Sequence, residues 1–186
     1  MEKTLALLIC MLFVIAGCST MTVTERDQKR SELDAMAETA IAGLIEQDAN
    51  VKTEMDKSIG YAVANMKLVK VPLVGAGGGE GVFVDKKTNQ RTYFTVKRLD
   101  IGGGWGGRSF KLLIVVYSQE ILDRLGSGTW VFQAGAEASV GKAAAEGSTS
   151  ALKKDFNVYV LSDGGASATV TVRVIRIKVN SKLENN

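Results

Sequence analysis

The chain has 186 residues, long enough for one domain with a proper core, and its 46% hydrophobic and 23% charged residues match a soluble globular protein. The net charge of +3 is small and dispersed, which argues against nucleic acid as a partner. With no histidine anywhere, and Cys10 and Cys18 the only cysteines, the commonest general base, a cysteine metal cluster and a disulfide framework are all excluded from the body of the protein. No cofactor is expected.

Residues 1–17 read as a signal peptide. A weakly basic start is followed by the apolar run Thr4 to Gly17, too short to span a bilayer as a helix. The run ends in Ile15-Ala16-Gly17-Cys18, which resembles the lipobox of bacterial lipoproteins. The resemblance implies cleavage before Cys18 and its acylation as a covalent lipid anchor. Ser19 follows, and a residue other than aspartate there implies sorting to the outer membrane, facing the periplasm. Residues 18–30 are polar and read as a lipidated tether.

The spacing predicts a helix over 31–47. Leu33, Met36, Ala37, Ala40, Ile41, Leu44 and Ile45 form one apolar stripe, and Ser31 is a candidate N-cap. Glu32, Asp34, Glu38 and Glu46 make its other face acidic, which suits packing on a sheet rather than adsorption to anionic lipid. A second short helix is expected over 48–58, with Val51 and Met55 inward.

From Gly60 the pattern becomes strand-like: 61–66, 67–71, and a hairpin of 82–84 with 91–96 around the polar turn 85–90. Gly75 to Gly81 reads as a glycine loop. Gly102 to Gly107 reads as a sharp bend with Trp105 packed at a sheet corner, leading into Leu112 to Tyr117, a strand buried on both faces. Ser118 to Gly126 is a short helix with Ile121, Leu122 and Leu125 inward. Residues 129–140 are strand-like and 141–150 a loop. Two final strands, 156–161 and 168–179, flank Ser162-Asp163-Gly164-Gly165, a hairpin signal. The apolar parity switches at Val174–Ile175, which predicts a bulge or a change of covered face. A frayed tail covers 181–186.

The glycine runs fail as phosphate loops. Gly75 to Glu80 leads into a strand, whereas phosphate binding needs a helix N-terminus. Gly135 to Ala143 has one residue too many between its glycines and no hydroxyl after Lys142. Ser109 lacks a nucleophile-elbow context, with Lys111 its nearest base. Glu80 and Glu137 are the only carboxylates beside glycines worth testing for hydrolysis. Nothing positive marks an enzyme. Lys67, Lys70, Arg108 and Lys111, beside glycine bends or strand ends, are the candidate lipid-headgroup ligands, with Arg173, Arg176 and Lys178 on the last strand. Solvated sheet faces or charged edges are the other reading of these cations.

The order of motifs resembles the SYLF family of lipid-binding domains over residues 58–147. Ser58-Ile59-Gly60-Tyr61-Ala62-Val63 comes first, then Gly77 to Val82 and Gly103-Gly104-Trp105-Gly106-Gly107-Arg108-Ser109. Ile114 to Tyr117, Leu125-Gly126 and Gly135-Ala136-Glu137-Ala138-Ser139-Val140 follow. The resemblance implies a non-enzymatic domain that binds membrane phospholipid. The expected protein is α+β: an N-terminal helical segment packed on a bent, mainly antiparallel sheet or partial barrel, spanning 31–180. The alternative function is a structural or scaffolding envelope lipoprotein with a protein partner.

Overall fold

The computed structural model describes residues 21–128, 131–134, 137–140, 143–146 and 155–184. Cys18 and Ser19 therefore lie outside the described residues, as does the signal peptide; of the 141–150 segment expected as a loop, 143–146 is instead strand, paired antiparallel with 137–140, and the rest lies outside the described residues.

Helix α1 spans Val23–Gln47 and starts eight residues before the expected 31–47 helix does. Its first turns carry no stripe, so other forces hold them. Thr22 and Glu25 form a reciprocal capping box: the Thr22 hydroxyl accepts from the Glu25 N–H at 3.2 Å, and Glu25 Oε2 accepts from the Thr22 N–H at 2.8 Å. Lys29 reaches Glu80 at 2.8 Å, and Arg30 Nε donates to the Leu183 carbonyl at 2.7 Å. Most of the expected tether is thus helix. Farther along, Leu33, Ala37, Ala40 and Leu44 are buried as the periodicity predicts. Helix α2, Asn50–Lys57, buries Val51. It is tied down where Tyr117 donates its hydroxyl to Glu54 and Asn157 donates its amide to both.

The sheet contains β1 (Gly60–Lys70), β2 (Val74–Asp85), β3 (Arg91–Val116), β4 (Val131–Ala134), β5 (Glu137–Val140), β6 (Ala143–Glu146) and β7 (Phe156–Val179). Helix α3, Gln119–Gly126, separates β3 from β4. All pairings are antiparallel. The protein is α+β, with a helical segment on a curled antiparallel sheet.

The two halves of β3 do different jobs. Residues 91–101 pair with β2, and residues 106–116 pair with β1. The β1–β2 hairpin is thereby flanked on both sides by one strand. Three antiparallel steps separate the halves of β3, so they run in opposed senses and β3 folds over between them. At the fold-over Gly102, Gly104 and Gly106 have φ of 133°, 138° and 131°, which side-chain-bearing residues rarely adopt. The expected bend is therefore present, but inside a continuous ladder. Trp105 does not pack at a corner: it is 74% exposed.

The 75–81 glycine run is also strand, not loop. Strand β7 follows β3 over its whole length, so the Ser162–Gly165 hairpin does not form. Instead the register shifts between Ser109 and Phe110, opposite Asp163, and the extra residue is absorbed as a bulge. At Val174–Ile175 the register runs on unbroken.

Alternation sorts the side chains onto two faces. The inner face holds Ala62, Ala64, Met66, Leu68, Phe83, Phe94, Val96, Phe110, Leu112, Ile114 and Val116, closed by Leu122 and Leu125 of α3. The outer face holds Val63, Val82, Val84, Tyr93, Leu113 and Val115 beneath α1 and α2. Leu112 to Val116 are buried on both faces, as expected for a central strand.

The C-terminal tail is not frayed through Glu184. Leu183 is buried in the outer cluster, and Glu184 Oε1 accepts from the Tyr93 N–H at 3.3 Å. Leu183→Ala should lower stability by about 2–3 kcal/mol in urea unfolding, with little change in slope.

Alkali should also unfold the protein. Burial, with the Asp34 carboxylate next, pushes the Tyr93 phenol up to about 12. Burial, then the bond to Glu54, raises Tyr117 as well. In the unfolded chain a tyrosine ionises near about 10. The raised folded value means stability is full below that pH and is lost as pH climbs toward about 12. Tyrosinate absorbance and loss of far-UV signal should then rise together above about pH 10.

Candidate functional site

The four cations singled out from the sequence do not come together. Lys67 and Lys111 lie on the outer face, Lys70 and Arg108 on the inner one. Alternation is the reason: on β1 positions 67 and 70 have opposite parity, as do 108 and 111 on β3.

The inner pair is deeply placed. Lys70 is 3% exposed, its ammonium without a hydrogen-bond partner, and Arg108 is 4% exposed with its guanidinium 4.3 Å from the centre of the Phe110 ring. Nearby, Arg98 Nε and Nη2 donate to the two Asp100 oxygens at 2.8 and 2.9 Å, a bidentate pair with both side chains buried. These groups belong to the interior of the curled sheet rather than to a surface.

The outer pair meets solvent. Lys111 is paired with Asp163 across the bulge. Lys67 stands in an open cleft of about 340 Å³ between α1 and the β1–β2 ribbon, with Lys29, Asn65 and Glu80. The pairing then extends Lys67 into a row. Lys67 faces Gly78 on β2, Gly78 faces Lys97 on β3, and Lys97 faces Arg176 on β7. All three cations are exposed on one face, with a glycine in the gap. Lys178, opposite Thr95, adds a fourth beside the row. Sequence reasoning missed Lys97 because it has no glycine neighbour and lies mid-strand. The cross-strand register, not local sequence, reveals it.

The hydrolytic candidates stay apart in role. Glu80 is held by Lys29. Ser109 faces Lys67 in register on the open outer face. The side chain of Glu137 lies outside the described residues.

The chain is similar to Beta cell expansion factor A from Aeromonas veronii. The identity is 25% over 138 residues, covering 74% of this chain and 52% of the relative. The chain thus spans about half the length of the curated relative it matches. No family model matches the chain. Among the described residues no helix is long and apolar enough to cross a membrane, which says nothing of strands.

Proposed function

We propose that the protein is a bacterial envelope lipoprotein, anchored through acylated Cys18, whose SYLF-like domain contacts phospholipid headgroups without catalysing a reaction. The observation that carries this reading is the exposed row Lys67, Lys97 and Arg176 across the outer sheet face. Three cations at neighbouring register positions suit a layer of phosphates better than one small anion. The SYLF-like order of motifs supports a lipid-binding role.

The short tether supports it too. Cys18 stands four positions before the N-cap Thr22. Fully extended, that reaches at most about 14 Å, so an acylated Cys18 holds the domain against the bilayer. Outer-membrane sorting follows from Ser19 by the same lipoprotein resemblance.

The test is vesicle binding by the chain from Cys18 onward, with Cys18→Ser to withhold acylation. It should sediment with phosphatidylglycerol vesicles at low salt, and less so as salt rises. Lys67→Ala, Lys97→Ala and Arg176→Ala combined should weaken binding about 100-fold, at about 1 kcal/mol per cation. Indifference of the unsubstituted chain to anionic vesicles would end the headgroup reading.

A further inference from the structure

Eight large apolar side chains are exposed among the described residues, and seven of them crowd the sheet end at the β1–β2 turn and the β3 fold-over. They are Val69, Val71, Leu73, Val74, Leu99, Ile101 and Trp105, with Leu73 and Trp105 each 74% exposed. The register stacks them in order. One step beyond the basic row, Val69 faces Ala76 and Ala76 faces Leu99. One step farther, Val74 faces Ile101. Leu73 lies in the β1–β2 turn, and Trp105 sits one residue past the last β1–β3 pair, Lys70 with Gly106. Successive rows on one face are about 7 Å apart, so the two apolar rows lie about 7 and 14 Å beyond the cations.

From this order the geometry points to a membrane-inserting tip. The Val71–Val74 turn and the Trp105 fold-over enter the acyl region of an anionic bilayer, while Lys67, Lys97 and Arg176 stay at its phosphates. The inference rests on the lipid-binding reading above and adds which end enters, and how deep.

Two further observations fit that occupant. The first is backbone satisfaction, which an apolar phase demands. The Val71 N–H donates to the Val74 carbonyl at 3.0 Å, the Val74 N–H returns to Val71 at 3.2 Å, and the Gly102 N–H donates to Leu73 at 3.0 Å. Pro72 has no N–H to satisfy. The second is charge. A protein surface would need an acidic strip beside an apolar one, and a second copy would set like charges together, whereas an anionic bilayer offers both layers by construction. The side chains also suit an interface: tryptophan prefers the headgroup boundary, and lysine stems lie along apolar surface with their ammonium in water.

The experiment uses the full chain reconstituted in phosphatidylcholine vesicles, with or without phosphatidylglycerol, some carrying brominated acyl chains. Tryptophan quenching by bromine reads depth. The part that disappears in Trp105→Phe belongs to Trp105, whose exposure makes the substitution harmless to folding. Protection of Lys67 and Lys97 from amine acetylation, read by mass spectrometry, reports headgroup contact separately. The expected result is quenching of Trp105 and protection of both lysines, each dependent on phosphatidylglycerol. Leu73→Asp should abolish the quenching and leave the protection. Protected lysines with an unquenched Trp105 overturn the inserting tip and spare the headgroup reading. Neither signal overturns both. Quenching without protection, equal on neutral vesicles, overturns the anionic bilayer as occupant. A concentration-dependent shift of Trp105 emission without vesicles points to a second copy, and specific crosslinking of the tip to a protein in cells points to a protein partner; either overturns the proposal.

Discussion

Asp100→Ala is expected to lower the unfolding free energy by about 3–5 kcal/mol, read from urea unfolding. The Asp100 side chain is fully buried and accepts both hydrogen bonds of the Arg98 fork. Lys70 lies just across Gly75: a Cβ built there would sit 3.2 Å from both the Asp100 Cβ and the Lys70 Cγ. The Asp100 side chain and the Lys70 stem thus flank Gly75, while the carboxylate itself is held in the Arg98 fork. Removing it takes both fork bonds from the buried Arg98 guanidinium, which costs far more than the net value of the pair. The charge-free pair Arg98→Met with Asp100→Leu should recover most of the loss. A loss below about 1 kcal/mol for Asp100→Ala would mean that the other contacts of Arg98, or water, satisfy it without the carboxylate.

The second large effect is steric. Gly81→Val should cost about 3–4 kcal/mol, because a Cβ at Gly81 would lie 2.1 Å from the Val63 carbonyl oxygen and 2.9 Å from the Ala64 Cα. Those atoms are β1 backbone, fixed by pairing on both edges. Gly103→Ala is the control. A Cβ there meets nothing within 4 Å, so the change should cost less than about 1 kcal/mol. Equal losses at the two positions would show that β1 and β2 separate easily.

These two cases also show what a sequence conceals. Glycine runs at 75–81 and 102–107 signal that backbone comes close to something. Only the fold says whether that is a fold-over within a strand, as at 102–107, or one strand pressed on another, as at Gly81. The stripe from Leu33 to Leu44 and the buried run from Leu112 to Val116 were legible because both are local periodicities. The start of α1 was legible only in part. Thr22 and Glu25 have capping-box spacing, but the turns after them carry no stripe, and distant Glu80 and Leu183 hold them. Asp163-Gly164 suggests a hairpin because its local preference is real. Strand β7 overrides that preference with a ladder running from Phe156 to Val179.

The candidate site was half legible. Parity alone separates Lys67 from Lys70 once β1 is known to be one strand. The partners of Lys67 in its row, Lys97 and Arg176, lie 30 and 109 positions away, where no local pattern can find them. Trp105 looked like a packing residue because its glycine neighbours suggested a crowded corner, yet the fold-over leaves it on the outside.

The pairing of β7 along nearly all of β3 has a kinetic consequence. Phe94 waits for Val179, and even the nearest pair, Val116 with Phe156, closes over 40 positions. Until residues 156–179 are available, one whole edge of the longest strand is a bare template for any passing chain. Refolding should be slow for a domain of this size, on the order of milliseconds to seconds. Chain concentration during that interval, more than native stability, should set the yield of folded protein.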